Sequence, residues 1–128
     1  MSQAEQFSKA SYISLETRRK NGEPVRTPVW VVEDGGLLYV RTDPTSGKVK
    51  RIRRDQHVRV ARADMGGKAS GDWVDGEARL VDEKESARIM ELFLKKYGLQ
   101  IRLLGFLGRL IRSSHRQSAV VEIQLNKG

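Results

Sequence analysis

The chain has no cysteine, which excludes a disulfide framework, a thiolate nucleophile and a cysteine-ligated metal. Histidine occurs twice, as His57 and His115, and so sparse a supply argues against a zinc site. No apolar run reaches the length of a membrane span, and the opening MSQAEQFSKAS lacks the apolar core of a signal peptide, so a cytoplasmic protein is expected. Neither a Walker-type phosphate loop nor a dinucleotide-binding glycine fingerprint occurs. Ser113, Ser114 and His115 are adjacent, but nothing in the pattern sets a nucleophile against a base. His57, just after a basic stretch, reads as a strand-entry residue.

What the chain has in excess is positive charge. Twenty-four Lys and Arg against 16 Asp and Glu give a formal charge of +8 over 128 residues, enough chain for one domain spanning 1–128. A balance of this kind points to an anionic partner: a nucleic acid, an anionic membrane or a polyanionic small molecule. The field is local, because Arg41–Arg62 carries eight basic residues against Asp43 and Asp55 alone. Within it, Thr42–Arg54 (TDPTSGKVKRIRR) reads as a strand end, a small polar turn and a basic helix. A helix start offers unpaired N–H groups and a partial positive charge, so this order of parts suits a phosphate-bearing ligand. Gly47 lets the backbone come close, the hydroxyls of Thr42, Thr45 and Ser46 and the cations of Lys48, Lys50 and Arg51 add donors, and Val49 and Ile52 give the helix a side to bury.

Along the chain, a short leading helix at Gln3–Lys9 precedes a strand through Tyr12, Ile13 and Leu15, and Asn21-Gly22 marks a hairpin into Pro24–Glu33. Asp34-Gly35-Gly36 turns the chain into Leu37–Thr42, which completes a meander. Val58–Ala63 and a long Ala69–Val81 segment read as paired fourth and fifth strands, with the turn at Met65-Gly66-Gly67. Asp82–Tyr97 has helical spacing with Gly98 as its C-cap, and Leu99–Arg112 reads as a further helix. Ser118–Leu125 supplies the last strand. The fold class is mainly β: a small barrel of about six strands with peripheral helices at its mouth.

The order strand, hairpin, RTPVW, strand, TDPTSGKVKR, strand and GDWVDGEARLV resembles the split-barrel oxidoreductases related to pyridoxamine 5'-phosphate oxidase, and within them the flavin- and deazaflavin-dependent branch. The resemblance covers Tyr12 to Leu125. It implies a homodimer of split β-barrels with the cofactor in a groove between subunits and a small-molecule substrate above it. It places Thr42, Ser46, Gly47, Lys48, Lys50 and Arg51 at the cofactor phosphate, and Thr27, Pro28, Val29 and Trp30 along the tricyclic ring, partly through backbone atoms. It implies coenzyme F420, with FMN as the alternative. Such a cofactor performs hydride transfer itself, so no catalytic triad is required. The long acidic tail of the deazaflavin favours it over FMN in so basic a chain, with Arg53, Arg54, Arg59, Arg62, Arg102, Arg109, Arg112 and Arg116 as a track for that tail.

Two rival readings use the same charge. A nucleic-acid-binding barrel explains the basicity but not the polar turn, and needs aromatics spread over one sheet face, whereas only Tyr39 lies in the strand before the basic helix; no nucleic acid partner is expected. Leu99–Arg116 reads also as a basic amphipathic surface able to meet an anionic membrane. Tyr39 and Tyr97 are expected in the core, Trp73 near the barrel mouth, and Arg79 in an ion pair or across the dimer.

Overall fold

Tight turns at glycines set the first half of the barrel. β1 (Tyr12–Arg18) and β2 (Pro24–Asp34) form a hairpin whose turn holds Gly22 at φ +86°. β2 passes to β3 (Leu37–Thr42) through Gly35 and Gly36, at φ +60° and +85°, a pair of left-handed residues that matches the twist of the strands. The computed structural model describes residues 3–7, 10, 12–63, 68–69, 71–104 and 119–126. Three more strands, β4 (His57–Arg62), β5 (Val74–Leu80) and β6 (Ala119–Leu125), complete a closed barrel in the order β1-β2-β3-β6-β5-β4, with every neighbouring pair antiparallel.

Alternate residues of each strand fill the barrel: Ile13 and Leu15, Val29 and Val31, Leu38 and Val40, Val58 and Val60, Val121 and Ile123. A 3-10 turn at Gln3–Phe7 adds Ala4 and Phe7 to this interior cluster, where a short helix over Gln3–Lys9 was expected. A second core lies outside the wall. The helix Glu83–Leu104, here α2, lays Ile89, Met90, Phe93 and Tyr97 on Val32, Tyr39 and Val120, which point outward from β2, β3 and β6. Asp82 caps it by accepting the Glu85 N–H at 2.8 Å, and Arg88 ties its first turns to Asp34 at 2.7 Å.

Tyr97 and Trp30 stack with ring centroids 4.6 Å apart. The Tyr97 hydroxyl accepts the Val31 N–H at 3.1 Å and donates to the Val31 carbonyl at 2.6 Å. Val31 lies one residue beyond the β1–β2 ladder, whose last pair is Tyr12 with Trp30, so the hydroxyl takes the backbone groups that β1 no longer reaches. Lys96 adds its ammonium to the carbonyls of Ala10 and Val31, both at 2.7 Å.

Two sequence expectations need correction. Gly98 is not a C-cap: α2 runs through it to Leu104, and Gly98 is not among the glycines with positive φ. One helical glycine costs about 1 kcal/mol against alanine, too little to end a helix anchored on a buried face. The fifth strand is Val74–Leu80, shorter than Ala69–Val81; among the described residues, the bridge Ala63–Ala69 alone extends the pairing on its N-terminal side. The turn expected at Met65-Gly66-Gly67 lies outside the described residues, and of the separate helix expected at Leu99–Arg112 only Leu99–Leu104 is described, as a continuation of α2. Tyr39 and Tyr97 are core residues as expected, 3% and 1% exposed.

Burial pushes the Tyr39 hydroxyl up to about 12, helped by the Glu122 carboxylate, and burial likewise pushes Tyr97 up to about 12. Because both folded-state values are raised, the neutral hydroxyls stabilise the fold fully below pH 10 and that contribution is lost between pH 10 and 12. An absorbance titration is expected to show both ionising near pH 12, with one of those steps missing in Tyr97→Phe. That variant leaves the Val31 N–H unpaired and loses about 1–3 kcal/mol in urea unfolding; an unchanged midpoint contradicts the bridging role.

Candidate functional site

In the barrel order, β3 and β4 stand three places apart whichever way round they are counted. The segment joining them therefore crosses the end of the barrel. It does so as α1 (Gly47–Arg54), with Val49 and Ile52 buried beneath it. At about 100° per residue, these two buried positions turn Gly47, Lys50, Arg51 and Arg54 to the opposite, outward face.

The turn before α1 is closed by its own side chains. The Asp43 carboxylate accepts the Thr45 N–H at 2.7 Å and the Thr45 hydroxyl at 2.6 Å, and the Ser46 N–H donates to the Asp43 carbonyl at 3.0 Å. Ser46 is the N-cap: its Oγ accepts the Val49 N–H at 3.4 Å and lies 3.2 Å from Thr42 Oγ1. The cap is long, which leaves this helix start weakly satisfied.

Arg51 completes the arrangement. Its Nε donates to the buried Thr17 hydroxyl at 2.7 Å, bolting α1 to β1, and its guanidinium folds back so far that a Cβ on Gly47 would stand 2.6 Å from Nη1. The absence of a side chain at Gly47 makes this approach possible. Burial lowers the Arg51 pKa, and the charged neighbours that lower it further are Arg19 and Arg54, both cations. A guanidinium, a positive helix end and two further cations gathered in this way are mutually repulsive; an anion among them relieves all of these contacts at once.

Of the predicted phosphate residues, the structure therefore brings together Thr42, Ser46, Gly47 and Arg51. Lys48 sits on the flank of α1, close enough to Asp43 to lower that carboxylate's pKa, and Lys50 is exposed on the outward ridge. The residues Thr27–Trp30 divide between two faces of β2. Val29 belongs to the barrel interior, and alternation turns Thr27 the same way, whereas Pro28 is exposed on the outer face and Trp30 is held there by Tyr97. Thr27 Oγ1 is buried without a hydrogen-bond partner, an orphaned polar atom that a ligand group could satisfy. Thr17, which holds Arg51, pairs with Val25, and Thr27 lies two residues further along β2, about 7 Å away.

A family profile described as pyridoxamine 5'-phosphate oxidase matches residues 2–127. The chain belongs to the pyridoxamine 5'-phosphate oxidase family. Its fold is similar to that of a conserved hypothetical protein from Mycobacterium tuberculosis, at 20% identity, TM-score 0.73 and coverage of 99% of this chain and 82% of that one. It is also similar to an F420 reductase (13% identity, TM-score 0.63, 96% and 93% covered) and to a heme storage protein from Vibrio cholerae (15%, 0.63, 97% and 88%). At these identities the likeness is one of fold. No curated protein matches the chain.

On this oxidase-family barrel, one polar cluster escaped the sequence reading. Glu16, 3% exposed, lies on the outer face between its cross-strand neighbours Arg26 and Arg59, at 3.0 and 3.6 Å. Arg59 continues to Asp75, which His57 meets at 2.9 Å, and Trp73 lies against both guanidiniums, 4.6 and 5.4 Å from its ring centroid. Only the strand register reveals this row, because its members come from four separate segments. Of the expected tail track, Arg59 is thus ion-paired, and Arg62 donates to the Gln6 carbonyl at 3.0 Å. Arg79 forms its ion pair within the chain, with Glu122 at 2.8 Å. Among the described residues, no group of His, Asp and Glu is placed to hold a metal ion, and no helix is long and apolar enough to cross a membrane.

The Thr45 hydroxyl and N–H, then Lys48, hold the Asp43 carboxyl below its ordinary 3.8. A depressed carboxylate stabilises the turn fully above pH 3.8 and loses that effect as pH falls through the folded-state value. The stability difference between the protein and Asp43→Asn is thus expected to close on acidification below pH 3.8; a difference independent of pH contradicts the carboxylate's role in the turn.

Proposed function

We propose that this chain is an oxidoreductase that holds the deazaflavin coenzyme F420, with its phosphate at the start of α1, and passes hydride between it and a small organic substrate. The observation that carries this reading is the Arg51 guanidinium folded over side-chain-free Gly47, beside the Thr42 and Ser46 hydroxyls. That donor set, charged and backbone together, suits a phosphate. The orphaned Thr27 hydroxyl offers the ligand a further hydrogen bond along β2.

When bound, the deazaflavin supplies the hydride chemistry itself. The chain's own residues bind and orient. Thr17 fixes the azimuth of Arg51, Asp43 shapes the turn so that Ser46 faces Thr42, and exposed Pro28 offers a flat, donor-free surface to a planar ring. A homodimer with the site in the groove between subunits and a cytoplasmic setting belong to the same reading. Of the structural neighbours, the F420 reductase favours the deazaflavin, whereas the heme storage protein favours the alternative of a carrier without turnover. FMN, with its single phosphate, is the alternative ligand of the same cradle.

Arg51→Ala is expected to weaken deazaflavin binding by about 1.5–3 kcal/mol in a fluorescence titration, and Lys48→Ala, on the flank of α1, by less. Unchanged affinity in both variants removes the phosphate assignment.

A further inference from the structure

The oxidisable rings of this chain are set in unequal surroundings. There are two tryptophans and three tyrosines, and among the described residues only Trp30 has tyrosines against it. Tyr97 stacks on one of its faces, with centroids 4.6 Å apart and planes 10° from parallel. Tyr12, its cross-strand partner at the end of the β1–β2 ladder, meets it edge-on at 6.3 Å and 70°. Trp73 instead lies against the guanidiniums of Arg26 and Arg59, and two cations beside an indole oppose the loss of an electron from it. Among the described residues, Tyr39 makes no ring contact with either tryptophan.

We propose that Trp30 and Tyr12 form a one-electron relay, which draws an oxidising equivalent off the outer face of β2 and delivers it to solvent at Tyr12. The oxidant is a small one-electron oxidising radical from solution. It takes an electron from the Trp30 indole, whose N–H proton leaves to water. The resulting indolyl radical then regains an electron and a proton, while the Tyr12 phenol gives up one of each and becomes the phenoxyl radical. A one-electron reductant from solution, with a proton from water, restores the phenol. What selects between the two tyrosines is the proton, because a phenol that loses an electron must also lose its proton. Tyr97 is 1% exposed, its hydroxyl donates to the Val31 carbonyl at 2.6 Å, a poor base, and burial pushes its pKa up to about 12. The Lys96 ammonium, 5.3 Å from the Tyr97 ring centroid, likewise opposes positive charge on that ring. Tyr12 is half-buried, so water reaches it and takes the proton. Phe93, which continues the stack beyond Tyr97 at 5.8 Å, is too hard to oxidise to extend the path inward. The better-stacked Tyr97 therefore buttresses the indole, and the edge-on Tyr12 is the exit. The relay stands whether or not a cofactor lies along β2.

The test is pulse radiolysis of the full chain with the azide radical as oxidant, following the indolyl and phenoxyl absorptions. In the unaltered chain the indolyl band is expected to decay as the phenoxyl band grows, at a rate independent of protein concentration. Trp30→Phe is expected to remove this phase. Tyr12→Phe is expected to abolish the phenoxyl growth and prolong the indolyl radical, whereas Tyr97→Phe keeps the transfer. Each substitution leaves a ring in place, and a cooperative thermal transition shows that the variant is folded. A transfer that survives Tyr12→Phe or Trp30→Phe, that is lost in folded Tyr97→Phe, or whose rate rises in proportion to protein concentration overturns the relay. Without any variant, a nitroso spin trap present during irradiation of the unaltered chain is expected to mark the peptide that carries Tyr12, as read by mass spectrometry. A mark chiefly on the peptides that carry Tyr39 or Tyr97 also overturns it.

Discussion

The order of strands around the barrel is the constraint on which the rest depends. Because β3 and β4 face each other across the closed sheet, their connection has to pass over the barrel end, and a helix with two apolar residues is a short way to pass it and seal it. Ile52 joins the interior cluster and Val49 is buried on the same side of the helix, and every other consequence follows from their direction. The polar turn is left at the rim, Gly47 opens outward, and Arg51 is placed one turn on, within reach of Thr17 on β1. The anion cradle is the outer surface of a plug.

Charge is partitioned by the same wall. On the outer face of β1, Glu16 is covered by Arg26, Arg59 and Trp73, which explains how a carboxylate can be almost wholly buried. The arginines keep contact with water, so removing either one harms the protein chiefly by stranding Glu16. On the helix side, Glu122 serves Arg79 and Tyr39, and Arg88 joins α2 to the β2–β3 turn. Among the described residues, Arg19, Arg51 and Arg54, at α1 and the tip of the first hairpin, stand outside these ion pairs.

The local devices were legible in the sequence: Asn21-Gly22 and Gly35-Gly36 announced their turns, and Ser46-Gly47 before an amphipathic basic run announced a capped helix. Element order then pointed to a barrel. What could not be read were the relations that only closure creates. Thr17 gives no sign that it holds Arg51, thirty-four residues away. Glu16, Arg26 and Arg59 look like three unrelated surface charges until the register sets them side by side. Trp30 was expected along a cofactor ring, and the structure shows one of its faces on Tyr97, a contact that depends on how α2 lies over the sheet. Gly98 misled because a glycine after a helical run signals a cap only when the backbone turns left-handed there, and burial of Phe93 and Tyr97 kept it helical.

The central claim is that the start of α1 is an anion site built by the crossing of the barrel end. It is tested most directly by titrating isotopically labelled protein with inorganic phosphate and following the backbone amides by NMR. The account predicts that the largest shifts fall on Ser46, Gly47 and Lys48 and on the Arg51 side-chain Nε–H, and that they are lost in Arg51→Ala. Shifts centred instead on the Trp73 and Arg59 face, or a response of the α1 amides that persists in Arg51→Ala, would contradict it.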